Sequence, residues 1–185
     1  MSTILDICNS ALIKLGAEPI ESMGEASKGA KLCSAQYPKI KARVLKNHPW
    51  KFAIKRDTIS ANGSTPLYEY EQEFDLPADH IRLLDIDNSR ILKFQVEGTK
   101  ILANVEELNI KYVYDVDEAD MPEDFAEIIS YALAADICFA LLQDSNYKEM
   151  IIAEYEEYLR QARSWNAMQG TPQDLVDDDW LLRRY

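Results

Sequence analysis

The spacing of the hydrophobic residues changes twice along this chain, and this change limits the folds that the chain can adopt. Before residue 50 and after residue 120, apolar residues recur at every third or fourth position, as they do in amphipathic helices. Between these parts, apolar residues such as Tyr68, Tyr70, Phe74 and Leu76 alternate with acidic ones, which is typical of half-buried strands. The sequence therefore predicts an α+β fold in which helices flank a mainly antiparallel β region.

Helix start signals stand near the N-terminus. Thr3 with Asp6, and Ser22 with Glu25, have the spacing of a capping box, in which a hydroxyl and a carboxylate satisfy free amides of the first helical turn. Each pair predicts a helix start. Pro38 falls within the second helical pattern, and we expect it to kink or divide that helix.

The remaining elements follow from alternation and from turn residues. The alternating segments after residue 52 predict roughly five or six antiparallel strands, with a turn at Gly98. Pro122 is a favourable residue for the first turn of an apolar helix. A last helix is expected to start near Asp144 or Ser145 and to end before Gly170.

These elements predict one folded unit with three parts. With 185 residues, 47% of them hydrophobic and 28% charged, the chain lies in the ordinary globular range and can bury a sizeable core. We predict the following parts: an antiparallel bundle of about four helices from residues 1–50 and 120–169, an inserted β subdomain from residues 51–119, and an extended C-terminal tail from residues 170–185.

The sequence also gives expectations about the compartment of the protein. We find no apolar run that approaches the roughly 18 residues of a membrane span, and the first residues lack a secretory signal pattern. We therefore expect synthesis in the cytoplasm and no membrane association. Cys8, Cys33 and Cys138 lie among apolar helical positions, which predicts three buried, reduced thiols.

Charge is distributed unevenly along the chain. Nine lysines and arginines lie between Lys28 and Arg56 without one acidic residue, although the formal net charge is −12. The residues outside this segment therefore carry a net charge of −21. Surfaces of opposite sign can orient head-to-tail neighbours, and heterologous contacts of this kind form rings or filaments. The simpler alternative is a solvated basic helix.

Several short motifs, in order, resemble one protein family. They are Ala11, Leu12, Leu15, Gly16, Ala17, Glu18, Pro19 and Ile20; His48, Pro49, Trp50, Phe52 and Ala53; Leu76, Pro77, Ala78 and Asp79; Phe94, Val96, Glu97 and Gly98; Tyr112; and the helical region from Phe125 to Ala140. Together they resemble the tail tubular protein A and head-to-tail adaptor proteins of short-tailed phages. The resemblance covers roughly Thr3 to Trp165.

The resemblance implies a structural role in a virion. Proteins of this family assemble as a dodecameric ring between the capsid portal protein and the tail nozzle protein, at the head–tail junction. DNA would then pass through the lumen of the ring without specific binding, and the acidic surplus of the chain is compatible with such a channel. The resemblance implies no cofactor and no enzymatic activity. C-terminal extensions in this family can grip the portal.

Few residues suggest catalysis or metal binding. His48 and His80 do not stand at a spacing that would place two ligands on one face, so we expect no metal site. Cys33 and His48 would form a nucleophile pair only through tertiary proximity. Trp50 follows His48 and Pro49 and is either a ligand platform or, as we expect, a core residue.

Carboxylates are abundant, and this leaves a second function open. A dense acidic run stretches from Asp115 to Glu127, where solvated side chains are the simplest interpretation. A cell-wall glycosidase would need two carboxyls at a defined separation, one of them with a raised pKa. Asp136 lies within an apolar helix, and we expect a basic side chain of the same or a neighbouring chain as its partner.

Nucleic-acid binding is a third possibility. Clustered Lys and Arg residues displace counterions from phosphates, and such binding would weaken steeply with salt. However, only Trp50 and Phe52 accompany the basic segment as stacking residues, and the net charge opposes long-range attraction.

The sequence therefore favours a non-enzymatic adaptor, with the two-carboxylate glycosidase as the alternative. The subunit interface is assigned to the basic residues Lys28, Lys31, Lys39, Arg43 and Lys46. The tail that would dock on the portal contains residue types that dominate interface energetics, namely Trp180, Leu181, Leu182, Arg183, Arg184 and Tyr185. Folding of this tail back onto its own helices is the alternative.

Overall fold

Four helices and six strands make up the part of the chain that the structure describes. The computed structural model describes residues 2–87 and 92–169. The helices are α1 (Ile4–Lys14), α2 (Lys28–Asn47), α3 (Glu123–Leu142) and α4 (Ser145–Met168). The strands are β1 (Ile54–Ser60), β2 (Gln72–Asp75), β3 (His80–Ile86), β4 (Phe94–Glu97), β5 (Lys100–Ala103) and β6 (Glu107–Tyr114). The predicted mixture of helices and antiparallel strands is confirmed.

One of the two predicted capping boxes is confirmed, and the other is wrong. The Thr3 hydroxyl accepts a hydrogen bond from the Asp6 amide, and the Asp6 carboxylate accepts one from the Thr3 amide. In contrast, α2 begins at Lys28 with Ser27 as its cap. The Glu25 carboxylate accepts from the Glu21 amide in a preceding turn, so it is not available as a helix cap.

Pro38 does not divide α2. It lies on the exposed side of one continuous helix of 20 residues. A proline within a helix removes one backbone hydrogen bond, and the extensive buried face of this helix supplies packing on the opposite side.

The two C-terminal helices pack tightly against each other. Helix α4 begins at Ser145, as the sequence predicted, and Asp144 caps it by accepting hydrogen bonds from the Asn146 and Tyr147 amides. Only two residues separate α3 from α4, and Gln143 makes the reversal with a left-handed backbone (φ 54°). The rings of Tyr131 and Tyr158 stack across the pair at 4.8 Å.

Helix α3 is the central element of the helical part. It contacts α1, α2 and α4. By length and composition alone it is also apolar enough to cross a membrane, contrary to the expectation from the sequence, although 56% of its most apolar window is buried inside the protein. A helix that packs against other helices on several sides is apolar around most of its circumference, because most of its side chains are buried.

Two antiparallel three-stranded sheets form the β region. The strand order is β1-β6-β3 in the first sheet and β2-β5-β4 in the second. The predicted turn at Gly98 joins β4 to β5 with a positive φ of 61°. The strand predicted from Tyr68 to Leu76 is shorter than expected, because Glu69 adopts a positive φ of 68° and interrupts the extended backbone before β2.

The molecule has three layers, which are the helices and the two sheets, and a hydrophobic core lies between each layer and the next. The helices share one core with the β1-β6-β3 sheet, which contributes Val113 and Leu84. The opposite face of this sheet contributes Ile110 to a second core, which Phe74 and Ile101 of the β2-β5-β4 sheet complete. The β2-β5-β4 sheet is therefore the layer farthest from the helical core.

The three cysteines are buried and free, as predicted. Cys8 on α1 and Cys33 on α2 lie side by side in the helical core. Their mutual hydrogen bond, together with burial, raises the pKa of the Cys8 thiol. These thiols are packing groups of the α1–α2 contact.

Candidate interaction surfaces

The five basic residues assigned to an interface lie on one exposed face of α2. Successive residues of an α-helix are rotated by about 100°, so positions 28, 31, 39, 43 and 46 fall within about one third of its circumference. We call these residues the basic stripe: Lys28, Lys31, Lys39, Arg43 and Lys46, all of them exposed. The buried residues Cys33, Tyr37 and Val44 occupy the opposite face.

Two members of the basic stripe contact α3. Lys28 donates to the backbone carbonyl of Ala140. Arg43 lies 3.8 Å from Asp136, so the expected basic partner of this carboxylate is in the same chain, and Asp136 itself is exposed. Within residues 2–87 and 92–169, Lys31, Lys39 and Lys46 form no ion pair.

Lys41 lies in the same basic segment but has a different role. Its side chain points to the buried side of α2 and is only 8% exposed as a residue. It lies 2.8 Å from Asp115 and 3.0 Å from Glu118, in the segment that follows β6. The Tyr37 hydroxyl donates to the same Glu118 carboxylate at 2.9 Å.

This buried polar cluster shifts the pKa values of its members in opposite directions. Burial, followed by the Glu118 hydrogen bond, raises the pKa of Tyr37 well above its usual range. Burial also acts to raise the pKa of Glu118, but hydrogen bonds from Lys41 and Tyr37 outweigh it and lower that pKa. The cluster keeps Glu118 ionised and connects α2 to the end of the β region. The helical periodicity of the sequence could have indicated that Lys41 is buried, because it follows the buried Tyr37 by about one helical turn.

The outer face of the second sheet carries an acidic groove. Phe74 and Ile101 point into the core, so Glu73 on β2 and Glu97 on β4 face outward at alternate positions. The loop at residues 65–70 lies beside this face and encloses about 400 Å³ with it. We call this space the acidic groove. Its lining contains three glutamates and no basic residue, namely Thr65, Pro66, Leu67, Tyr68, Glu69, Tyr70, Glu73, Gln95, Glu97 and Leu102.

Two apolar side chains at the rim of the acidic groove are exposed. Leu67 is 98% exposed and Tyr68 is 76% exposed. The base of the loop is fixed, because Tyr70 is buried and the Glu71 amide donates to the Asn104 side chain at 2.8 Å. Asn62 and Lys100 both bind Glu73 and lower the pKa of its carboxyl. An ordered loop that holds large apolar side chains in solvent is typical of a contact surface.

A further concavity lies on the β1-β6-β3 sheet. It encloses about 640 Å³ and mixes both signs of charge, with Arg56 and Lys111 beside Asp57, Asp85 and Asp87. A glycosidase would need a carboxyl with a raised pKa. The carboxyls whose pKa shifts among the described residues all shift downward, and they are Asp6, Glu73, Asp79, Glu118 and Glu157.

The aromatic residues after α2 pack in the core. Trp50 is 2% exposed, donates its Nε1–H to the Val44 carbonyl and packs edge-on against Phe125. Asn166 donates to His48 Nε2 at 3.0 Å. Cys33, in contrast, neighbours Cys8. Cys33 and His48 therefore each have a different partner and do not form the nucleophile pair considered from the sequence.

The remaining expectations from the sequence concern metal binding and the C-terminal tail. In the part of the chain that the structure describes, no group of three or more His, Cys, Asp or Glu side chains is arranged to hold a metal ion. The predicted portal-docking tail, Trp180 to Tyr185, lies outside the described residues. No model of a known protein family matches this chain, and no curated protein matches it either.

Proposed function

We propose that this protein is a non-enzymatic structural adaptor of a phage or prophage particle, which forms a ring on the portal protein and extends the DNA channel toward the tail nozzle protein. The single observation that carries the proposal is the basic stripe, an exposed positive face on a chain whose remaining surface is strongly acidic. The resemblance of several ordered motifs to phage head-to-tail adaptor proteins supports it.

The arrangement of the chain in the particle is part of this proposal. The four helices would act as an antiparallel bundle that holds the basic stripe at the subunit interface. Residues 170–185 would form an extended tail that docks on the portal through Trp180 to Tyr185. The ring would be dodecameric, and DNA would pass through its lumen without specific contacts. The protein would require no cofactor.

Electrostatic contacts explain why one face would select one orientation of its neighbour. Complementary charges fix register and speed encounter more than they add affinity. Lys31, Lys39 and Lys46 are suited to this role, because they are exposed and no described carboxylate neutralises them within 4 Å.

Native mass spectrometry tests the proposal directly. The purified chain is measured alone and after mixing with the ring of the portal protein encoded in the same genome, at moderate salt. We expect a portal complex that carries a ring of added subunits, twelve in the assembly implied by the resemblance. A portal ring that stays bare, with the chain remaining monomeric beside it, would contradict the adaptor function.

A matched pair of variants tests the role of the basic stripe. Replacing Lys31, Lys39 and Lys46 together with Glu is expected to abolish the ring and to leave the monomer folded. The control replaces Arg56, Lys148 and Arg163 with Glu, which changes the net charge equally but lies outside the stripe. Loss of assembly in both variants would indicate a general charge effect rather than a contact of the stripe.

A further inference from the structure

We infer that the acidic groove is the surface that receives the basic stripe of a neighbouring copy of this chain. This inference rests on the proposed ring and names the second half of its subunit contact. The groove and the stripe are on different layers of the molecule, the outer sheet and α2. A contact between two different surfaces of identical chains is heterologous, and such contacts form rings.

The charges of the two surfaces are complementary. The lining of the groove contains Glu69, Glu73 and Glu97. Glu73 is paired with Lys100 and largely covered, whereas Glu69 and Glu97 are exposed to a neighbour. The stripe presents five cations without an acidic residue anywhere between positions 28 and 56. Like charges therefore oppose a contact between two stripes, whereas the stripe and the groove bring opposite charges together.

The spacing of the charges also agrees. Glu73 and Glu97 lie on β2 and β4, which are separated by β5, so their strands are about 10 Å apart. Lys39 and Lys46 are seven residues apart on α2, which corresponds to about 10.5 Å along the helix axis. The stripe of one copy can thus span the width of this sheet in the next copy from a single helix face.

The apolar parts of the two surfaces fit as well. Between the cations, the exposed face of α2 carries Ala35, Pro38 and Ala42, which are small enough for close approach of a neighbour. The rim of the groove offers Leu67 and Tyr68 in nearly full exposure. Covering these two side chains with the alanines removes apolar area from water, which the ion pairs alone would not do.

A charge-exchange experiment tests the inference on the portal-bound ring. The first variant, the stripe variant, carries Lys39→Glu and Lys46→Glu. The second, the groove variant, carries Glu69→Lys and Glu97→Lys. Each variant alone brings like charges together and is expected to load the portal at least tenfold less than the unchanged chain. In an equimolar mixture every contact pairs opposite charges again, and loading is expected to return.

The controls separate this inference from the proposed function. A variant with Glu149→Lys and Glu156→Lys on α4 has the same net charge as the groove variant and is expected to load the portal normally. Urea unfolding checks that all variants fold. If the groove variant loads like the unchanged chain, or if the mixture fails to load, the stripe–groove pairing is wrong while the adaptor function stands. If the unchanged chain itself fails to load, the adaptor function and this inference are both wrong.

Cross-linking gives an independent readout. A carbodiimide joins lysines to carboxylates in direct contact, and a mixture of heavy-isotope and ordinary chains distinguishes links between copies from links within one. We expect mixed-isotope links from Lys39 and Lys46 to Glu69 or Glu97 in the portal-bound ring. Links between copies that join the stripe to the carboxylates of α4 instead would overturn the assignment of the groove.

Discussion

Among the charged residues, Lys41 shows how one position within a basic segment can have a separate role. Its neighbours Lys39 and Arg43 face solvent, whereas Lys41 faces Asp115 and Glu118 beneath the helix. A buried ion pair contributes little net stability compared with apolar packing, but removing one partner leaves the other charge unpaired. Lys41 therefore belongs to the fold, and the exposed lysines remain available for contacts with a partner.

Replacing Lys41 with Ala is expected to lower the free energy of unfolding by about 2–3 kcal/mol, because Glu118 would lose its charged partner in a mostly buried site. Urea unfolding at neutral pH measures this loss. Lys39→Ala on the exposed face of the same helix is the control and is expected to change the free energy of unfolding by less than about 0.5 kcal/mol. Equal effects of the two changes would show that the cluster does not stabilise the fold.

The two histidines predict a pH dependence. Burial, followed by the positive charges of Arg163 and Arg82, lowers the pKa of His48. Burial also lowers the pKa of His80, and Lys46 adds to this effect while Asp79 opposes it. The unfolded chain therefore takes up protons at a higher pH than the folded chain does. The stabilisation is complete above the unfolded pKa of about 6.5 and is lost as the pH falls through the lower folded values.

We accordingly expect the free energy of unfolding to be lower at pH 5.5 than at pH 7.5. A variant with His48→Gln and His80→Gln is expected to lose most of this difference, because no other side chain with an ordinary pKa titrates in the interval. Urea unfolding of both proteins at the two pH values gives the comparison. An unchanged pH dependence in the variant would assign the effect to other groups.

At the level of elements, α2 has two faces with different roles. Its inner face packs against α3 and carries the buried thiol of Cys33, and its outer face carries the basic stripe. The helix holds both sets in register because residues three and four positions apart share a face. The short α3–α4 connection is the other element that determines the arrangement of the helices, because two residues must reverse the chain direction.

Gln143→Gly is expected to stabilise the protein by about 1 kcal/mol. Gln143 holds a left-handed backbone with φ 54°, which strains any residue with a Cβ atom but not glycine. Thermal unfolding or urea titration measures the gain. Ala153→Gly, at an exposed position inside α4, serves as the control and is expected to destabilise the protein by about 1 kcal/mol. Destabilisation by both changes would mean that backbone strain at Gln143 is negligible.

At the level of the whole molecule, the layer order separates the two charged surfaces. The helices, the β1-β6-β3 sheet and the β2-β5-β4 sheet follow one another through two cores. The basic stripe is on the first of these layers and the acidic groove on the last. A molecule with opposite charges on separate layers is suited to a chain of identical contacts, which is the geometry that a ring requires.

Assembly on the portal is expected to weaken with salt. Raising NaCl from 0.1 M to 1 M shortens the Debye length from about 10 Å to about 3 Å, which screens exposed charge pairs. Native mass spectra cannot be recorded at such salt, so sedimentation velocity is the suitable measurement. We expect the number of bound subunits per portal ring to fall. Binding that stays constant or strengthens would indicate that apolar contacts dominate the ring instead of the stripe.

Local sequence signals predicted most of the elements. The Thr3 cap, the Gly98 turn and the start of α4 at Ser145 depend on residues close in sequence, and the structure confirms them. The misplaced start of α2 has the same origin, because Ser22 and Ser27 are both plausible caps locally. In the structure Ser27 is the cap, and its side chain accepts a hydrogen bond from the Ala30 amide.

The sequence predicted one of the two candidate surfaces. The basic stripe followed from the absence of acidic residues and from helical spacing. The acidic groove did not, because its three glutamates come from a loop and two strands that are separated by β5 in the sheet. Strand order depends on pairing between distant segments, which periodicity does not contain.

The sequence by itself determined the kind of each element, the faces that must be buried and the uneven charge, because these properties depend on side-chain types and on their spacing. Tertiary structure alone decided that Lys41 is buried with Glu118 while Lys39 stays exposed, and that Glu69, Glu73 and Glu97 line one groove. The physical reason is that burial and charge clustering depend on contacts between segments far apart in the chain, which form only when the layers stack.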